Sequence, residues 1–231
     1  MIRVYLMETG ALESPEVYEN ALILTDPDRR KMLEGRSGKP AILSLAAGLL
    51  IQYAYFEYIK GTDGEKEILF YFGDAVECTS ALKASGHVEN VCKTAEGRPY
   101  FPDHPEIFFS VSHSGDYAAC SVSDVPNGID IQEHRKLSCD ISGRFFATEE
   151  DDYLKKVSVN STKDFYDLWC LHEAYMKYTG EGLKQGMKDV SFLDALKGDH
   201  AKTYFNAADG KKIRGQVLQA PAGYSLGIVS A

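Results

Sequence analysis

Paired-cysteine spacing is missing from this chain of 231 residues: Cys78, Cys92, Cys120, Cys139 and Cys170 are odd in number, far apart and never arranged as C-x-x-C. That argues against a disulfide framework or a structural zinc site and predicts reduced thiols. A basic excess is missing too. With 25 Lys and Arg against 34 Asp and Glu the net charge is −9, which argues against a broad grip on nucleic acid or on an anionic membrane. Any bound phosphate must be held by a local cluster. The start, "MIRVYLMETG", lacks a basic region followed by an apolar run, so no secretory signal is expected. The longest apolar run, "AILSLAAGLLI" from Ala41 to Ile51, is too short to span a bilayer and reads as a buried helix. A cytoplasmic protein with neither membrane nor nucleic acid as partner is expected.

What is present is ordinary globular composition, 44% hydrophobic and 26% charged. The length allows one large domain or two lobes of roughly 100 residues each. "IRVYLME" reads as a strand, and the apolar spacing from about Ala41 to Tyr58 as a helix. "EIFFSVSHSGDYAACSVSD" reads as two strands around the turn His113-Ser114-Gly115-Asp116, and "VPNG" as a turn into the strand "IDIQ". A long helix follows, then a strand-rich tail. "YAACSVS" (Tyr117 to Ser123) and "YSLGIVS" (Tyr224 to Ser230) share three of seven positions, and each half sets a long helix before a closing hairpin. The expectation is an α+β fold of two similar lobes, residues 1–122 and 123–231, each a small antiparallel sheet packed on a long helix.

In "DLWCLHEAYMKYTGEGL" (Asp167 to Leu183), Phe165, Leu168, Trp169, His172, Tyr175, Met176 and Thr179 fall on one stripe that should face the core. Glu173 borders that stripe with Lys177 one turn on, and Gly180 or Gly182 can supply the left-handed cap. Taken alone, Glu173 and Lys177 read as a surface pair and His172 as a core histidine. In "NGIDIQEH" the strand period sends Ile129 and Ile131 to the core and puts Asp130 and Gln132 together on the opposite face. A carboxylate and an amide carbonyl so placed can converge on one hard cation such as magnesium.

The order of these pieces, "GRP", "SVSHSG", "GIDIQ", then "W-x-x-x-E-A-x-x-K" and "TGEGL", resembles the 4′-phosphopantetheinyl transferases of the larger, two-lobed kind. The resemblance covers Gly97 to Leu183 well and the first ninety residues poorly. It implies two lobes in pseudo-twofold arrangement with the active site in the cleft between them, and a monomer. It implies transfer of the phosphopantetheine arm of coenzyme A to a serine of an acyl, peptidyl or aryl carrier protein. Asp130 and Glu173 would hold Mg²⁺, or Mn²⁺, on the pyrophosphate, with Gln132 in place of the common second acid. Lys177 would face a phosphate oxygen or keep Glu173 ionised. Glu149 or Glu150 matches a further acidic position, and the serine's base stays open between Glu173, one of these and a ligated water. Arg98, Ser112 and His113 would contact the nucleotide phosphates. His172 stands where the family has a lysine and is taken as a pH-dependent phosphate-side cation. Leu43 stands where a family arginine grips the 3′-phosphate, leaving Arg30, Arg36 or Lys39 as substitutes. The carrier is expected near Lys155 to Asp164. A binding-only homologue and an unrelated metal-dependent phosphoester hydrolase are the competing readings.

Overall fold

The structure, a computed structural model, describes residues 1–61, 68–136, 142–156, 161–180, 188, 190–197, 203–206 and 210–231. The chain divides into two compact units, Met1–Pro126 and Asn127–Ala231.

Strand β1 (Ile2–Glu8) opens the first unit, followed by α1 (Pro15–Leu22), α2 (Pro27–Leu33) and the long α3 (Lys39–Ile59). Each of these helices has a proline in its first turn, where the missing N–H costs nothing and the fixed φ suits the helix. Then come β2 (Ile68–Asp74), α4 (Ala75–Ser85), β3 (Cys92–Lys93), β4 (Pro99–Tyr100) and the hairpin β5 (Phe108–Ser114) and β6 (Tyr117–Ser123). The main sheet has the order β2-β1-β6-β5. The run Ala41 to Ile51 lies inside α3, and Leu45, Leu49, Leu50 and Ile51 join the core that also holds Tyr5, Cys120 and Val122. By length and composition alone α3 could cross a membrane; here it is a core helix. One strand departs from the expected antiparallel plan. β2 runs parallel to β1, because the intervening helices return the chain to the same end of the sheet before it re-enters.

The second unit contains β7 (Asn127–Glu133), α5 (Ser142–Phe145), α6 (Thr148–Lys156), α7 (Ser161–Thr179), α8 (Leu193–Lys197), β8 (Thr203–Asn206), β9 (Lys212–Leu218) and β10 (Tyr224–Ser230). Its sheet, β7-β10-β9-β8, is antiparallel throughout. The segments whose sequences echo one another are β6 and β10. Each pairs with the first strand of its unit and with its own hairpin partner, and each packs under the unit's long helix.

Helix α7 is closed by Gly180, at φ 76° with its N–H on Met176 O at 3.0 Å; Gly182 lies outside the described residues. Its aromatic flank, including Phe165, Leu168 and Tyr175, joins the core of the second unit. The other flank lies on β7 and β10 so closely that backbones meet. A Cβ on Gly128 would sit 2.0 Å from Ala174 O, and one on Gly227 would sit 2.9 Å from the Cys170–Leu171 peptide. Only residues without a side chain allow this approach. β7 is consequently buried on both faces, with Ile129 and Ile131 at 0% and Asp130 at 2% exposure. This corrects the expectation of one core-facing side, since the Asp130 face is the one α7 covers.

Gly128→Ala is therefore expected to destabilise the protein by about 3 kcal/mol or more, the upper end for overpacking. Gly227→Ala should cost less, because its 2.9 Å contacts need a smaller shift. Gly10→Ala, with open space around it, is the neutral control. Urea unfolding midpoints check the ranking.

Candidate active site

Asp130 projects from β7 under α7, where an unpaired carboxylate would cost several kcal/mol. It is satisfied three ways. Lys177 Nζ donates to Oδ1 at 2.8 Å and also to Ile129 O at 2.9 Å. Gln132 Nε2 donates to Oδ2 at 3.0 Å, which turns the amide of the neighbouring position toward the acid. The Cys170 thiol lies against Asp130 and 3.3 Å from Ser225 O. Burial first, and the Asp130 and Asp167 charges second, hold that thiol well above the usual range, so it is an inert donor.

The seam continues along the helix. Ser225, directly across from Gln132 on β10, donates to Asp167, which also pairs with Lys163; His134 Nε2 lies 2.8 Å from Ser225 Oγ. Asp167, Cys170, Ala174 and Lys177 thus form a second stripe on α7, facing the sheet. The sequence hides it, because its spacing is helical but two of its four residues are charged.

Glu173 is the exception in this paired surface. It is half-buried, and no hydrogen bond or ion pair to it is made among the described residues. Burial, then the neighbouring Asp130 charge, raise its proton affinity, and Lys177 offsets this in part. Two adjacent carboxylates, one paired with an ammonium and one not, favour a cation beside them. Among the described residues no group of three or more His, Cys, Asp or Glu forms a metal cage. A pair of carboxylates beside an amide fits a hexacoordinate hard ion that keeps waters and substrate oxygens in its shell.

Two residues read as site groups are elsewhere. Glu150 and His172 are both 0% exposed. Glu150 Oε1 accepts from Phe192 N at 2.7 Å and Oε2 from Ala147 N at 3.1 Å, while His172 Nε2 lies 3.1 and 2.9 Å from the two oxygens. Both oxygens of Glu150 are thereby held by groups outside the Asp130 cluster, so it stands apart from the carboxylate pair. His172, stacked on Phe146 and edge-on to Phe192, cannot serve as a solvent-side phosphate cation. Glu149 is exposed in the first turn of α6.

In the first unit, Ser112 and the exposed His113 lie on β5 beside the two-residue loop Gly115-Asp116, where Gly115 takes φ 56°. The turn is thus one residue later than the sequence suggested. Arg98 closes the β3–β4 turn, with Thr94 N bonded to its carbonyl. Of the three basic candidates for the 3′-phosphate, Lys39 is brought to the S-H-S-G turn by an ion pair with Asp116. Arg30 is half-buried on α2 and Arg36 exposed beyond its end.

Residues 126–229 match the family model of the 4′-phosphopantetheinyl transferase superfamily. The segment contains β7, α7 and β10, and so all of the carboxylate cluster. The chain is 41% identical over 96 residues to 4′-phosphopantetheinyl transferase Sfp of Bacillus subtilis (strain 168), a match covering 41% of this chain and 43% of that protein. It is 36% identical over 108 residues to 4′-phosphopantetheinyl transferase psf-1 of Bacillus pumilus, covering 46% of each. The matches therefore span less than half the length of these curated relatives. The resemblance carried by "GIDIQ" and "W-x-x-x-E-A-x-x-K" is supported over this segment.

A raised carboxyl stabilises the folded state while protonated and costs stability once ionised. Glu173→Gln is expected to raise the melting temperature of the metal-free protein at neutral pH. The gain should vanish as pH falls below the ordinary carboxylate value of about 4.3. Thermal melts of both proteins from pH 4 to 8, on the order of one per unit, check this; a gap independent of pH would contradict it.

Proposed function

We propose that the protein transfers the 4′-phosphopantetheine group of coenzyme A to a serine hydroxyl of an apo carrier protein, releasing adenosine 3′,5′-bisphosphate. The observation that carries this reading is the meeting of Asp130 and Gln132 on β7 with Glu173 and Lys177 on α7, at the positions where the resemblance expects the reacting diphosphate.

Attack on phosphorus flanked by anionic oxygens needs charge neutralisation and alignment more than covalent help. Asp130 and Glu173 would hold Mg²⁺, or Mn²⁺, with the Gln132 amide beside them. The ion, when bound, neutralises the diphosphate and stabilises the departing phosphate. Lys177 keeps Asp130 ionised and aimed, and its ammonium offers further donors to a phosphate oxygen. A carboxylate that holds a cation is a poor base, so removal of the serine proton falls to a water ordered by the cluster or to the exposed Glu149. Arg98, Ser112 and His113 of the first unit enter the reading as phosphate contacts through the resemblance.

The carrier is assigned to the region from Lys155 to Asp164, of which residues 157–160 lie outside the described residues. Lys155 and Lys156 are exposed at the end of α6, and Tyr153 fixes Asp164 with a 3.1 Å hydrogen bond. A few local cations on an acidic chain suit an acidic carrier at short range. A monomer working in the cytoplasm completes the reading.

Incubating the protein with coenzyme A, Mg²⁺ and an apo carrier, then weighing the carrier, is expected to show the mass gain of one phosphopantetheine group. Asp130→Ala and Glu173→Ala should each slow this by on the order of a hundredfold or more. Coenzyme A binding without any mass gain would instead identify a binding-only homologue. Nucleotide release without a carrier would identify a hydrolase.

A further inference from the structure

We propose that Glu150 and His172 are a positioning pair that sets the rotation of α7 and so the direction of the Glu173 carboxylate. The inference rests on the transferase reading for its consequence, while the pair itself is independent of it. Contact at Gly128 and Gly227 brings helix and sheet within backbone distance, but glycine offers no side chain to interlock, so the contact fixes separation and leaves rotation to other groups. On the sheet side, Lys177–Asp130 and Asp167–Ser225 hold the helix. On the far side, beside the apolar packing of Phe165, Leu168 and Tyr175, the directional hold is His172.

His172 and Glu173 are consecutive, so any turn of the helix that moves one imidazole moves the adjacent carboxylate by the same angle. Glu150 is a fixed anchor: the N–H groups of Ala147 and Phe192 hold its oxygens from the start of α6 and from the segment entering α8. The His172 ring is wedged between Phe146 and Phe192, with centroid distances of 5.3 and 5.1 Å. The Nε2–H donates to Glu150, whereas Nδ1 is buried with no hydrogen-bond partner. An orphaned acceptor costs stability, and the site tolerates it while keeping the Nε2 bond. Partners one step behind a ligand shift metal affinity by about 10- to 100-fold when removed.

Three substitutions separate this role from simple packing. His172→Gln places an amide N–H at the reach of Nε2, His172→Asn places it at the reach of Nδ1, and His172→Phe keeps a ring with no donor. Mn²⁺ titration, following the free ion by electron paramagnetic resonance, is expected to show affinity weakened about tenfold or more in the Asn and Phe proteins and within about twofold of the parent in Gln. Parent-like affinity in Asn and Phe, or equal loss in Gln and Phe, overturns the proposal. If the parent binds no Mn²⁺ even with coenzyme A present, it is the transferase reading that fails. Amide hydrogen exchange over residues 172–178 of the metal-free proteins then decides on the pair: faster exchange in Asn and Phe than in Gln supports it, and equal exchange overturns it.

Discussion

The approach of the α7 backbone to β7 and β10 at Gly128 and Gly227 is the constraint on which the candidate site depends. It removes water from between helix and sheet and forces every polar group there to find a partner. Lys177, Asp130, Cys170, Ser225, Asp167 and Lys163 answer by pairing along the seam. Desolvation outweighs Coulomb attraction for a buried ion that stands alone, and the balance reverses only when geometry supplies good partners. Asp130 has Lys177 and Gln132. Glu173, at the border, is hydrogen-bonded to neither among the described residues.

The two units show how the same plan can hold a polar seam under one long helix and an aromatic one under the other. Aligning β6 with β10 by their shared Tyr, Val and Ser sets Cys120 against Gly227. The registers then set Tyr5, the partner of Cys120, against Asp130, the partner of Gly227. Tyr5 is buried, stacked on Tyr71 and edge-on to Tyr53 of α3. Its hydroxyl is driven to high pKa by burial first. Arg3 likewise stands where Gly128 stands in the second unit. Tyr5 thus takes the place of the carboxylate, and Arg3 and Cys120 the places of the two glycines, so the seam under the first long helix lacks the bare backbone approach.

Much of this was legible from local patterns. The strand carrying Asp130 and Gln132, the helix carrying Glu173 and Lys177 and the capping Gly180 all follow from spacing, and the β6–β10 echo marked the repeated plan. What stayed hidden depends on partners far along the chain. Glu150 reaches His172 across 22 residues and Phe192 across 42, and Ser225 reaches Asp167 across 58. Polar residues at helical spacing look solvent-facing until the sheet that covers them is placed. The parallel pairing of β2 with β1 is hidden for a similar reason: it depends on a crossover that no short window records.

Gln132 also has an electrostatic meaning that depends on its neighbours. Ionised Asp130 and Glu173 against one ammonium at Lys177 leave the cluster with a single negative charge in excess. A divalent cation reverses that sign and leaves a net positive patch in an acidic chain. An acid at 132 would bind a cation more tightly and bring the cluster with its ion to neutrality. The amide keeps the surplus and, by donating to Asp130, still orients the carboxylate. On the proposed reading that surplus would face the diphosphate, where interactions that strengthen as charge develops are most useful.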